Sequence, residues 1–308
     1  MKVRTRPDSG TAEAATASTR RLTRAAATAR RRTRATLILS AGFLAVIVLV
    51  SVLAPWITWH DPLDAELVNR LQPPGWLDGG SWSHPLGTDS TGRDLFTRML
   101  FGVRLSLLIG LAAVACGGII GVTAGILAGY YDEKIAAVGF GRVADIQQAI
   151  PFVVLALAVV ASIGPSFRNL ILILGVGSWL FYYRIVRGEV LKIREESYID
   201  AAKAMGKSDA GILVSHVLPN SFAPVIVIVT LFVPRLIMFA AALSFLGLGV
   251  QPPRAELGLM ISEGRGLIQQ AWWLTVFPGA LLAGIVLAMN TLGDWLRERL
   301  DPTLRVRQ

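Results

Sequence analysis

Long uncharged runs alternate with short polar segments along this chain. The pattern predicts an all-α membrane protein with six spanning helices over residues 37–54, 105–129, 146–167, 169–183, 221–247 and 273–293, since about 20 apolar residues cross a bilayer core. The fourth run has only 15 residues, and Arg168 and Arg184 at its ends are suited to reach the interfaces. Pro151 falls inside the third run and is tolerated there if neighbouring groups satisfy the freed carbonyl. Pro224, Pro234 and Arg235 interrupt the fifth. In the second run Gly117, Gly121, Gly125 and Gly129 recur at every fourth position. That stripe predicts close helix packing and no ligand role.

The segment 197–220, SYIDAAKAMGKSDAGILVSHVLPN, is polar and helix-forming and sits between apolar runs. Ser197 and Asp200 have capping-box spacing. Ala201, Ala202, Lys203, Ala204 and Met205 favour helix, and Gly206 is suited to a left-handed closing position. Ser208 is placed to cap a second short helix and Pro219 to stop it. Two short helices with a glycine joint follow, with Ala201 and Ala202 small enough for a partner to approach.

Composition agrees with a polytopic membrane protein. The 308 residues are 53% hydrophobic and 17% charged, with mean hydropathy +0.56. A soluble chain carries about 25% charged residues. The single cysteine, Cys116, excludes an intramolecular disulfide and lies in an apolar run as a packing residue.

Charge then sets orientation. Residues 1–36 carry ten Lys and Arg against Asp8 and Glu13. This is read as a disordered basic tail acting as a topology signal rather than a lipid- or RNA-binding arm. The run 37–54 lacks a clean cleavage site after it and is read as an uncleaved first span. Placing the N-terminus inside puts 22 Lys and Arg in the inner segments 1–36, 130–145, 184–220 and 294–308. The outer segments 55–104 and 248–272, together with Arg168, carry 7. The asymmetry predicts both termini in the cytoplasm and removes the need for nucleic acid to explain a net charge of +9.

Candidate chemistry is sparse. The outer loop 55–104 is rich in Pro, Gly, Trp and Asp. His60 and His84 lie far apart in it, so no metal site is expected. Asp89, Arg93 and Asp94 lack the spacing of a calcium loop. Gly206-Lys207-Ser208 imitates the end of a phosphate loop, but Ala201 stands where its first glycine belongs. No catalytic residue or cofactor is expected.

Four stretches carry a resemblance. Asp200-Ala201-Ala202, Gly206 and Leu218-Pro219 resemble the EAA loop of bacterial ABC-importer permeases, with Asp200 in place of the usual Glu and His216 two residues before Leu218-Pro219. HPLGTDSTGRD at 84–94, LSFLGLGVQPP at 243–253 and LGDWLRERLDP at 292–302 are similar to the second permease of dipeptide, oligopeptide and nickel importers. The resemblance implies a type I ABC-importer permease in the bacterial inner membrane. Its Asp200, Ala201, Ala202, Gly206, Leu218 and Pro219 would form a cytoplasmic coupling loop. It further implies a second, similar permease, two cytoplasmic ABC ATPases and an extracytoplasmic solute-binding protein as partners. Peptide is the leading substrate class and nickel the alternative. A self-sufficient secondary transporter is less favoured, because the six runs hold no Asp or Glu. Their one charge, Arg235, is the candidate pore residue. The related permeases often carry a Glu where this chain has Ala240.

Overall fold

A computed structural model describes residues 34–131 and 135–300. The basic tail up to residue 33 and the end of the tail from 301 lie outside the described residues. The described chain is helical, with one isolated antiparallel bridge between Thr88 and Asp94.

The first span, α1, is Arg34–Val52. A loop crosses to α2, Leu95–Tyr130. This helix begins ten residues before the uncharged run, because Asp94 caps it by accepting from Thr97 N at 2.7 Å. Arg98 and Arg104 therefore lie inside the helix, in its first three turns. Its 36 residues extend about 54 Å, well beyond a ~30 Å hydrocarbon core.

The third apolar run is not one straight span. It is divided between α3, Ile135–Ala149, and α4, Phe152–Ile163, which meet at 92°. Pro151 sits at the N-cap of α4, where an absent N–H breaks no helical bond. The proline expected to be tolerated inside a helix instead starts one, and part of the predicted polar turn 130–145 is helical. Among the described residues five helices are long and apolar enough to cross a membrane, or six if this bent pair is counted as one span.

The short fourth run belongs to a longer helix, α5, Phe167–Arg194. Ser166 Oγ caps it by accepting from Asn169 N at 3.1 Å. Its C-terminal part carries Arg184, Arg187, Lys192 and Arg194 past the apolar stretch, with basic residues at the favourable end of the helix dipole. Next comes α6, Ser197–Ala204, then α7, Asp209–Ile212. A π turn, Leu213–Val217, joins α7 directly to α8, Leu218–Phe245. Pro224 and Pro234 are accommodated without breaking α8; buried Phe232, Val233, Leu236 and Ile237 anchor the helix around the second of them. The expected outer loop 248–272 contains a helix, α9, Leu257–Arg265, and the chain ends on α10, Trp273–Leu300.

The core lies where α2, α5 and α8 meet, with Ile109, Ala113, Leu170, Leu174, Tyr182, Ile237 and Ala240 buried together. The α2 glycines let α5 approach its backbone. A Cβ at Gly117 would strike Ser178 Oγ, and one at Gly121 would strike the Trp179 carbonyl. At Gly125 it would lie 2.9 Å from the Tyr183 carbonyl, and at Gly129 2.7 Å from Val190 Cβ. All are too close for a side chain, so this face of α2 is a backbone-to-backbone seam.

Candidate functional site

The C-terminal end of α2 carries the helix pair. Glu196 is the N-cap of α6 and makes no side-chain cap bond. The capping box expected at Ser197 is thus absent, and Ser197 is already the first helical residue. The helix closes as its glycine dictates. Gly206 has φ +78° and donates to the Lys203 carbonyl at 2.9 Å, while Lys207 N reaches the Ala202 carbonyl at 3.1 Å. This is a Schellman closure. Ser208 then caps α7, its Oγ accepting from Gly211 N at 3.3 Å.

Pro219 does not end the second helix. The π turn comes just before it and re-routes the hydrogen bonds, so that Leu218 N donates to the Leu213 carbonyl. Pro219 then occupies the first turn of α8, where proline fits. The segment is a tight hairpin whose second arm is continuous with a span.

One side of the hairpin is fixed to the protein. Ile199, Ala202, Ile212 and Val217 are buried against Tyr130, Val186, Val190 and Ile193. Tyr130 Oη donates to Asp209 Oδ1 at 2.8 Å, and Arg194 Nη1 donates to the Tyr130 carbonyl at 3.3 Å. Across the joint Lys207 Nζ donates to Ser215 Oγ at 2.7 Å and approaches His216 Nε2 at 3.2 Å. The other side is bare. The Asp200 side chain is 75% exposed, with Lys203 Nζ 3.7 Å away, and Met205 is 81% exposed. Ala201, Gly206, Leu218 and Pro219 are exposed as well, and no atom lies within 4 Å of the Gly206 Cβ position. Of the two alanines, only Ala201 is open to a partner, since Ala202 faces the chain's own core.

Arg235 is exposed on α8, its guanidinium 5.2 Å from the ring centre of Phe181 and 5.4 Å from that of Phe232. Phe181 also lines a cavity of about 230 Å³ with Gln147, Gln148, Pro151, Phe152 and Arg184. The bend between α3 and α4 is one wall of that cavity.

Sequence reasoning missed the opposite end of α2. There buried Asp89, Arg93 and Arg98 form an ionic network with the partly exposed Glu263. Arg93 Nε donates to Asp89 Oδ2 at 2.7 Å; Arg98 pairs with the same oxygen, and its Nη2 donates to Glu263 Oε2 at 3.0 Å. Burial alone would raise the Asp89 pKa. The Arg98 charge, hydrogen bonds from Thr91 and the Arg93 charge outweigh it and hold the carboxyl below its ordinary value of 3.8. Glu256 is buried too, capping α9 at Leu259 N (2.8 Å) and accepting from Ser106 Oγ (3.0 Å). These pairs join residues up to 165 apart, a separation no local pattern reveals.

The multi-helix membrane fold with its exposed helix hairpin is shared with an ABC transporter of known structure. The methionine ABC transporter MetNI, solved in inward-facing conformations, matches with a TM-score of 0.55, covering 67% of this chain and 98% of that one at 21% identity. The fold is that of a type I importer permease. Residues 121–306 match the model of binding-protein-dependent transport system inner membrane components, and residues 30–74 match that of the N-terminal transmembrane domain of oligopeptide transport permease C. The chain belongs to the family of binding-protein-dependent transport permeases. It is 43% identical to the dipeptide transport permease DppC of Alkalihalophilus pseudofirmus, over 84% of this chain and 83% of that one. It is 41% identical to the di/tripeptide transport permease DppC of Pseudomonas aeruginosa, over 85% and 86%.

Proposed function

We propose that this chain forms one half of a pore for di- or oligopeptides and passes the work of separate ATPases into that pore. The observation that carries this reading is the hairpin 197–220, held to α2 and α5 on one side, bare on the other, and continuous with α8. Its bare face, with Asp200, Ala201, Met205 and Gly206, is the ATPase-docking surface. The basic asymmetry of the sequence supports both termini and the hairpin lying in the cytoplasm. The partners are a second, similar permease, two ATPase subunits that carry the hydrolytic chemistry, and an extracytoplasmic binding protein. Arg235 lines the path beside the cavity at the α3–α4 bend and favours a peptide carboxylate by Coulomb attraction.

The test is uptake of a labelled dipeptide into proteoliposomes holding the whole complex. Uptake is expected to require ATP and the binding protein. Uptake by this permease pair without the ATPases would make the chain a secondary transporter, and transport of nickel but not peptide would replace the substrate. Arg235→Gln is expected to slow peptide uptake in an assembled complex. A wild-type rate in that variant removes Arg235 from the path.

A further inference from the structure

We propose that His60, His84 and Asp94 form a binding site for a divalent transition metal, zinc in the first instance, at the capped end of α2. The three residues come from separate parts of the loop but converge. One ring nitrogen from each histidine and a carboxylate oxygen of Asp94 all lie within 4.8 Å of one another. His84 Nδ1 is 3.1 Å from Asp94 Oδ1, and the two imidazoles stack with ring centres 4.7 Å apart. Zinc held at about 2.0–2.1 Å in a tetrahedron spaces its donor atoms about 3.4 Å apart. The His84–Asp94 pair already has nearly that spacing, and the His60 donor, within 4.8 Å of both, has to close in to complete the set. Two imidazoles and a carboxylate are the donor set of many zinc sites and leave a fourth position for water.

The surroundings hold these side chains as outer-shell groups hold metal ligands. His60 Nε2 lies 3.0 Å from the Ser83 carbonyl. A carbonyl only accepts, so Nε2 carries the proton and Nδ1 keeps its lone pair for a metal. Asp94 uses Oδ2 for the Thr97 N–H at 2.7 Å, which leaves Oδ1 for the site. His84 and Asp94 are buried at 4% and 3% exposure, while His60 is half-buried and gives the ion an entry side. Binding of the ion at His84 Nδ1 requires the ring proton to sit on Nε2, and the Nδ1–Asp94 contact is then replaced by a bond from each to the metal. The bound ion would tie the stretch following α1 to the first turn of α2. Sequence spacing argues against a metal here because 24 positions separate the histidines; the fold removes that separation.

The chain has only three histidines and one cysteine, so the site is testable cleanly. The full chain, purified in detergent by an affinity tag without histidine and stripped with a chelator, is dialysed against Zn²⁺. The background is His216→Gln. One zinc per chain is expected, and Co²⁺ in its place should give the visible bands of a tetrahedral ion. His60→Phe preserves a stacking ring and the His84–Asp94 contact, and is expected to weaken zinc binding at least tenfold while the metal-free melting temperature stays put. Asp94→Asn, which still caps α2, should also weaken it. Less than a tenth of an equivalent in the parent chain, or undiminished zinc in both variants, would overturn the site.

Discussion

At the N-terminal end of α2, Asp89, Arg93 and Arg98 are buried and matched, with Glu263 brought in from α9. At the C-terminal end Asp200 and Met205 stand in solvent and the hairpin bonds mainly to itself and to Tyr130. The two ends carry similar residue types and treat them in opposite ways. A charge removed from water is tolerable only when partnered, and at the first end the charges are paired within the chain itself. The second is finished only on the side that faces its own spans. That difference is what supports the docking role proposed for the hairpin rather than for the ionic network.

The comparison breaks most visibly at Arg98. Arg98→Met leaves Asp89 with Arg93 alone and takes from Glu263 its 3.0 Å partner; breaking a buried pair outright costs about 3–5 kcal/mol, an upper bound here because Arg93 remains. Thermal melting of the detergent-purified chain should fall sharply, and a wild-type melt would mean the network is not what closes this end. Gly121→Leu comes next. It forces a side chain into the Trp179 carbonyl, and overpacking costs about 1–3 kcal/mol; the melt and the yield of assembled complex should both drop. Gly206→Val is smaller in stability, about 1–2 kcal/mol for an L-residue in left-handed geometry, because empty space surrounds the site. Its larger expected effect is functional: the assembled complex should hydrolyse ATP with most of its transport lost. Normal transport would show that the joint is not part of the lever. The smallest effect is acid sensitivity. Asp89 has its folded pKa below 3.8, so its stabilisation is complete above the unfolded value and fades as pH falls through the folded one. A melt-versus-pH curve should lose that component only below about pH 4, and Arg98→Met should shrink it, with Thr91 and Arg93 still favouring the carboxylate.

Several features were legible in the sequence because they are local. Gly206 and Ser208 announce a closure and a cap within four residues of themselves, and the four-residue glycine period predicts a close-packed face before any partner helix is known. What failed were inferences that used charge or proline as boundaries. Arg98 and Arg104 suggested a loop, yet both are inside α2, one paired with Asp89 and Glu263 and the other stacked 5.5 Å from the Phe101 ring centre. Pro151 stands at a break in the helix while Pro224 and Pro234 lie inside a continuous one, because packing on either flank decides whether a lost hydrogen bond becomes a break. The meeting of His60 with His84 and of Arg98 with Glu263 depends on tertiary closure, which periodicity does not encode.

α7, the π turn and α8 follow one another without a break in the helical backbone, so Asp209 and Arg235 are joined by continuous helix about 39 Å long, at 1.5 Å per residue. A rod transmits rotation as well as push. The π turn holds one residue more per hydrogen-bonded ring than an α turn. Squeezing that residue out would turn everything beyond it by about 100°, and with it the direction in which Arg235 faces.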